Sequence, residues 1–304
     1  VDTWLANEIA QLYSDCLGAG WRTHLCRPDT WRHIEHMDES ELWTIKVALK
    51  RRLLDFVARR HQRRRERLGV DDPRPRLRSD RLTIGVARRF ATYKRAMLMF
   101  EDLDRAKALI TDPERPLQFI FAGKAHPADG PGKALLRRLC ELSRLAELRD
   151  HVVVVENYDM NVSRHLLEGC DLWLNMPRRP LEACGTSGMK AVFNATLNCS
   201  TLDGWWDEAC DGENGFVIGD GQVCADPADQ DRADAAALLA TLEGQVVPMY
   251  YDRNHAELPM AWLMRVKRAL KTLAWRYNAD RMVMDYARRL YVHASKTSTA
   301  EILD

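Results

Sequence analysis

Leu82-Thr83-Ile84-Gly85-Val86-Ala87, followed at once by Arg88-Arg89-Phe90-Ala91-Thr92-Tyr93-Lys94-Arg95, is the stretch from which the fold can be read. A short apolar run that stops at a cluster of charges reads as a strand, and residues 93–110 read as the helix behind it. The alternation then repeats. Residues 117–122 form the next strand, closed by Gly123, and 133–148 the next helix. Val152-Val153-Val154-Val155 is apolar at every position, as in a strand covered on both faces of a parallel sheet. Residues 162–169 read as a helix, 172–174 as a strand, and 197–202 and 216–218 as further short strands. Strands alternating with helices imply an α/β chain with a doubly wound parallel sheet and right-handed crossovers. Ligands then bind outside the carboxyl ends of the strands.

Helices flank this pattern on both sides. Residues 3–17 carry Leu5, Ile9, Leu12 and Leu17 broadly on one face, and Gly18-Ala19-Gly20 ends the run. A longer helix starts after Asp38, an N-cap candidate, with a stripe of Leu42, Ile45, Leu49, Leu53 and Phe56 or Val57. Its end, residues 59–67, is strongly basic. A solvated helix terminus is the reading for that run, because cations suit a helix C-terminus. Residues 71–80, with two prolines, read as a loop. Residues 232–247, 259–276 and 279–294 read as three terminal helices. The division expected is a helical lead-in, 1–78, and a ligand-binding domain, 79–304.

The 304 residues suffice for one large domain or two ordinary ones. A net charge of +1 gives no argument for nucleic acid or a membrane surface, so any anion site must be local. No apolar run approaches the roughly 20 residues a spanning helix needs. Val1–Leu5 lacks the basic-then-apolar pattern of a secretory leader. Eight cysteines without a C-x-x-C pair read as reduced thiols of a cytoplasmic protein, and no His, Cys and carboxylate set suggests a metal.

The informative segments each follow a strand. Residues 88–95 hold four cations in eight positions, a phosphate or carboxylate site by charge and helix dipole. A solvated basic loop would carry the same charges, but the position at a strand's carboxyl end favours anion binding. Gly123-Lys124-Ala125-His126-Pro127 and Glu156-Asn157-Tyr158-Asp159 follow the next two strands. Last comes Leu181-Glu182-Ala183-Cys184-Gly185-Thr186-Ser187-Gly188-Met189-Lys190. Its glycines let a backbone approach an anion, and Lys190 could pair with that anion or bond covalently to a carbonyl cofactor. From the residues alone this is an α/β domain with two anion-binding loops, a description that fits many transferases.

Taken together, the segments go further. Residues 88–95, Phe121-Ala122-Gly123-Lys124-Ala125-His126-Pro127-Ala128-Asp129, Glu156-Asn157-Tyr158-Asp159-Met160, Trp173-Leu174-Asn175 with Pro177-Arg178-Arg179-Pro180, the loop 181–190, and Leu202-Asp203-Gly204-Trp205-Trp206 resemble the α-glucan phosphorylases, closest to their bacterial-type branch. The resemblance covers essentially the whole chain. It implies a Rossmann-like sheet forming the C-terminal half of a GT-B fold, in which two such domains face each other across an active-site cleft. It also implies phosphorolysis of terminal α-1,4-glucosyl units of glycogen or maltodextrin to glucose 1-phosphate, with pyridoxal 5′-phosphate as cofactor.

Residue by residue, Lys190 matches the lysine that holds pyridoxal phosphate as a Schiff base. Gly185, Thr186 and Ser187 match the cradle of the cofactor phosphate, with Arg88 at a nearby cationic position, and Tyr158 matches a ring lining that pocket. Arg89 and Lys94 match the groups that bind the substrate phosphate at the reaction centre. Glu182, with the backbone at Ala183, Cys184 and Gly185, matches the contact to the glucosyl hydroxyls. In this family the cofactor's phosphate faces the reaction, and the substrate phosphate acts as general acid toward the glycosidic oxygen. Two phosphates held close repel, and Arg89 and Lys94 would offset that repulsion.

Two departures stand out. Cys184 occupies a position usually held by Ser, and Asn194-Ala195 replaces the usual Asn-Gly, at a backbone that wants glycine. The first domain of the family, with its further sugar and phosphate contacts, has no counterpart in this sequence. Its expected partner is therefore such a domain, in cis or in trans, and family members usually form homodimers. An inactive or split half-phosphorylase, and a nucleotide-sugar glycosyltransferase of the same architecture, are the alternative readings.

Overall fold

The computed structural model describes residues 1–70 and 74–295, so residues 71–73 of the expected loop and 296–304 of the expected second domain lie outside the described residues. Six strands form one sheet: β1 (Leu82–Ala87), β2 (Leu117–Ala122), β3 (Val152–Val155), β4 (Leu172–Asn175), β5 (Leu197–Thr201) and β6 (Phe216–Ile218). Their spatial order is β3-β2-β1-β4-β5-β6 and every pairing is parallel. This is the doubly wound α/β sheet that the alternation predicts. The chain winds outward to β3, then returns to place β4 on the other side of β1. The winding reverses between β1 and β4, and there a crevice opens at the carboxyl edge.

The strands form in runs of mostly apolar residues, because both faces are covered, and the few polar members such as Gln118 and Asn198 are buried with them. All residues of β1, β2 and β4 are buried, including Phe119, Phe121 and Trp173. The covering helices are α1 (Asn7–Leu17), α2 (Glu39–Leu68), α3 (Leu103–Ile110), α4 (Gly130–Leu142), α5 (Met160–Gly169), α6 (Thr186–Phe193), α7 (Pro227–Thr241), α8 (Met260–Leu273) and α9 (Ala279–Tyr286), with turns of helix between several of them. Asp38 caps α2 as expected, accepting from the Glu41 N–H at 2.8 Å. Left-handed Gly69 closes it.

The stripe of α2 contains two lysines that its apolar periodicity conceals. Lys46 is buried and donates to the carbonyls of Glu168 (2.9 Å), Cys170 (3.1 Å) and Asn194 (2.8 Å), and to Thr196 Oγ1 (3.0 Å). Lys50 pairs with Asp171 at 2.6 Å with both side chains fully buried, and Asp171 also accepts from the Thr83 N–H at 2.8 Å. These charges tie α2 to the amino ends of β1 and β4, at the edge of the sheet opposite the crevice. Their mutual satisfaction is what makes such burial tolerable.

Two elements differ from expectation, the lesser being α4, expected over 133–148 but ending at Leu142. No continuous helix spans residues 93–110. Two short 3₁₀ turns, Thr92–Lys94 and Leu98–Phe100, come first, and α3 begins only at Leu103. Ala96, Met97, Leu98, Met99 and Phe100 are all buried, so this run packs on every side and presents no helical stripe. Among the described residues no helix is long and apolar enough to cross a membrane.

Candidate active site

Four loops leave the carboxyl ends of β1 to β4 on one edge of the sheet. After β1, Arg88 folds inward. Its guanidinium donates to Asn175 Oδ1 at the end of β4, and its Nε is buried without a partner. Burial pulls its pKa down to about 10, so it is still a cation at neutral pH. Arg89 is exposed. Lys94 places Nζ 2.6 Å from Glu182 Oε2, with side chains only 14% and 11% exposed, and 4.9 Å over the Tyr93 ring.

The fourth cation of this loop turns away. Arg95 has a left-handed backbone (φ 48°) and a side chain 3% exposed. It donates to the carbonyls of Met176 (2.8 Å) and Pro177 (2.7 Å) and pairs with Asp231 and Asp234 of α7 at 3.0 and 2.7 Å. The sequence count of four cations therefore holds one that is purely structural. The loops after β1 and β4 are also joined by a bond from the Arg178 N–H to the Tyr93 carbonyl (2.8 Å).

The loop after β4 is clamped from behind. The Asp203 carboxylate accepts from the backbone N–H of Glu182 and of Gly204, each at 2.9 Å, and the Trp205 N–H donates to the Cys184 carbonyl at 2.9 Å. Burial pushes the Asp203 carboxyl above its ordinary value. Gly204 is held at φ 57°, and a Cβ there would stand 2.4 Å from the Cys184 oxygen, so only glycine lets the two segments meet. Gly185, at φ 94°, turns the chain into α6, which has no side-chain cap. The Ser187 hydroxyl accepts from Trp173 Nε1 at 3.2 Å.

One turn further, Lys190 lies with Nζ 4.0 Å over the ring of Trp4, and burial lowers its pKa from the ordinary lysine value. A cavity of about 750 Å³ opens beside it, with Cys184, Thr186, Trp4, Tyr277 and Met282 among its walls. Tyr158 donates to Ser163 Oγ at 3.2 Å. Tyr158 and Trp4 both pack on the apolar cluster that contains Ala191 and Trp173.

The structure thus unites Lys94 with Glu182, Arg88 with Asn175, and Cys184, Thr186 and Lys190 around one cavity, while Arg89 and Ala183 stand exposed. Of the segment after β3, only Tyr158 turns to this side. Glu156 pairs with Arg64 and Arg67 of α2, each at 2.6 Å, and Asp159 caps α5 through the Val162 N–H at 2.8 Å. The end of α2 is accordingly ion-paired where solvation was expected. Trp4, Asn175 and Asp203 are site neighbours that sequence reasoning gave no role. The last two stood inside the quoted motifs, whereas nothing near Trp4 pointed to Lys190.

The sequence model of the family described as carbohydrate phosphorylase matches residues 3–233, a span that holds every residue of this loop edge. The chain belongs to the carbohydrate phosphorylase family. It is 43% identical over 292 residues to the maltodextrin phosphorylase of Thermococcus litoralis, covering 96% of this chain and 34% of that protein. It is 39% identical to the glycogen phosphorylase of Aquifex aeolicus, over 95% of this chain and 42% of the relative. With the glycogen phosphorylase of Mycobacterium tuberculosis it shares 40% identity, over 97% of this chain and 34% of the relative. The chain therefore spans between a third and a half of the length of these relatives. Ala195, where a glycine was expected, sits at φ 54° and keeps the left-handed backbone at a steric cost.

Proposed function

We propose that this chain is the cofactor- and phosphate-binding portion of an α-glucan phosphorylase, the C-terminal half of its GT-B fold. Residues 79–304 are proposed as the binding domain and 1–78 as a lead-in that lends Trp4 to the site. The parent reaction is phosphorolysis of terminal α-1,4-glucosyl units to glucose 1-phosphate. The observation that carries the reading is Lys190. Its amine is partly desolvated, lies over an aromatic ring, and stands at a cavity that also holds Thr186.

The residues present fit pyridoxal phosphate. Lys190 would anchor it, and lowering an amine's pKa raises the fraction that is a neutral nucleophile. Gly185, Thr186 and Ser187 at the start of α6 would hold its phosphate, with Arg88 supplying the buried donor that now lacks an acceptor. Tyr158 and Trp4 would bound its apolar side. When bound, the cofactor supplies a phosphate that exchanges a proton with the substrate phosphate.

The chain's own groups do the rest. Arg89 and Lys94 bind the substrate phosphate and offset its charge. Glu182 and the backbone at Ala183, Cys184 and Gly185 orient the sugar through its hydroxyls, with the loop fixed by Asp203. A facing domain, in cis or in trans, supplies the opposite wall and the glucan groove.

Purified chain incubated with pyridoxal phosphate is expected to show a near-ultraviolet absorbance band that is absent in Lys190→Ala. Wild-type protein that takes up no cofactor would remove the centre of the proposal.

A further inference from the structure

We propose that the Lys94–Glu182 ion pair couples the phosphate end of the site to the sugar end, so that each ligand raises the affinity for the other. The inference rests on the reading above, in which Lys94 serves phosphate and Glu182 serves sugar. The two residues leave neighbouring strands, β1 and β4, on either side of the point where the winding reverses. Their charges meet at 2.6 Å, shielded from water. Neither loop depends on that contact for its shape. Lys94 is held by its turn, with its N–H on the Ala91 carbonyl at 3.0 Å, and by the Tyr93 ring. Glu182 is fixed through its backbone by Asp203. The two side chains are therefore free to part while the loops stay in place.

Without ligands, each charge occupies the other's binding capacity. A phosphate arriving at Lys94 meets a carboxylate already seated there. That carboxylate also acts on Arg88, whose charged form it favours. Like charges this close cannot share one shielded cation without repulsion. The first ligand bears the cost of separating the pair. Phosphate on Lys94 releases the Glu182 oxygens to accept from sugar hydroxyls, and a sugar held by Glu182 leaves the ammonium open. The second ligand does not bear that cost again, and by linkage the benefit is equal in both directions. Coupling on the order of fivefold to tenfold is expected for such a contact.

The test titrates inorganic phosphate into the full chain and its variants by calorimetry, using the cofactor band at Lys190 as the check that each variant has folded. Glu182→Gln keeps the shape and removes the charge, and is expected to tighten phosphate about fivefold. Lys94→Gln is expected to weaken it. Saturating glucose is expected to tighten phosphate on the wild-type chain and to add nothing in Glu182→Gln. A contact that merely stabilised the loops would give the opposite sign, since its loss would loosen the phosphate site. Glu182→Gln that leaves phosphate affinity unchanged or lower, or a wild-type affinity indifferent to glucose, overturns the coupling. The phosphate reading then still stands if Lys94→Gln weakens binding. Phosphate bound by no form of the chain overturns both.

Discussion

Residues 59–67 and residues 88–95 are both dense in cations, and the fold uses them in opposite ways. The first has six arginines in nine positions, the second three arginines and a lysine in eight. At the end of α2, the arginines lean on carboxylates that follow β3: Arg64 and Arg67 on Glu156, and Arg60 on Asp159 at 3.5 Å. After β1, Arg88 is buried with an unsatisfied Nε, Arg89 projects into solvent, and Lys94 has its charge paired with a residue of the proposed sugar contact. The more basic stretch is the less available one. Charge density along a chain does not locate an anion site. Nor does an orphaned donor alone, since Arg60 Nε on α2 is also buried without a hydrogen-bond partner; position at the carboxyl ends of the strands beside the winding reversal is what separates the two stretches.

Arg88→Met is the strongest test of that contrast. The substitution removes a desolvated cation, keeps most of the volume, and costs Asn175 its donor, worth about 1 kcal/mol. Removing an incompletely satisfied buried charge offsets much of that loss. Thermal unfolding of the ligand-free chain is thus expected to stay within about 1 kcal/mol of wild type, while affinity for pyridoxal 5′-phosphate, whose phosphate Arg88 is proposed to hold, falls on the order of thirtyfold or more. A variant that unfolds easily and still binds the cofactor as tightly would make Arg88 a structural arginine and erase the distinction.

The mirror experiment is Arg64→Ala combined with Arg67→Ala. Both pairs lie at a partly exposed surface, where such contacts contribute little and are screened by salt. The expected loss is about 1 kcal/mol in denaturant melts at low ionic strength, shrinking at high salt, with phosphate binding unaltered. Weaker phosphate binding in this variant would show that the α2 end belongs to the site.

The same contrast explains how much the sequence could reveal. All six strands were legible because burial on both faces leaves short, largely apolar runs between helices and loops, unbroken at 152–155 and interrupted only by Thr83 at 82–87. The helix expected over 93–110 failed because Met97 to Phe100 are buried all round, and an apolar run alone does not distinguish a helix from packed turns. Lys46 and Lys50 drew no reading from the sequence, since their partners are carbonyls, Thr196, Asp171 and Tyr250, as many as 200 residues away. In the site, Lys190, Glu182 and Arg88 were legible because their loops are contiguous in sequence. Trp4 was not, because it reaches Lys190 only through the packing of the first helix onto the sheet. Nor was the fate of Arg95 legible, because the carboxylates that claim it lie on α7.

The finest comparison takes one exposed arginine from each stretch. Arg63 and Arg89 are both exposed, and no ion pair of either is found among the described residues. Substituting Gln at an exposed position without a special contact changes stability by no more than about 0.5 kcal/mol, so melting curves of Arg63→Gln and Arg89→Gln are expected to overlay the wild type. Only the surroundings separate the two. Arg89 sits between Arg88 and Phe90 at the mouth of the crevice, where the neighbouring guanidinium is already desolvated. A second cation there adds to a field that water does not fully screen. Arg63 belongs to a helix end whose neighbours Arg64 and Arg67 are matched by Glu156. Phosphate affinity is therefore expected to drop several-fold in Arg89→Gln, as for one charge-assisted hydrogen bond at a partly exposed site, and to remain unchanged in Arg63→Gln. Equal losses in both would mean that phosphate answers to the overall charge of the chain, and that position at the sheet edge confers nothing.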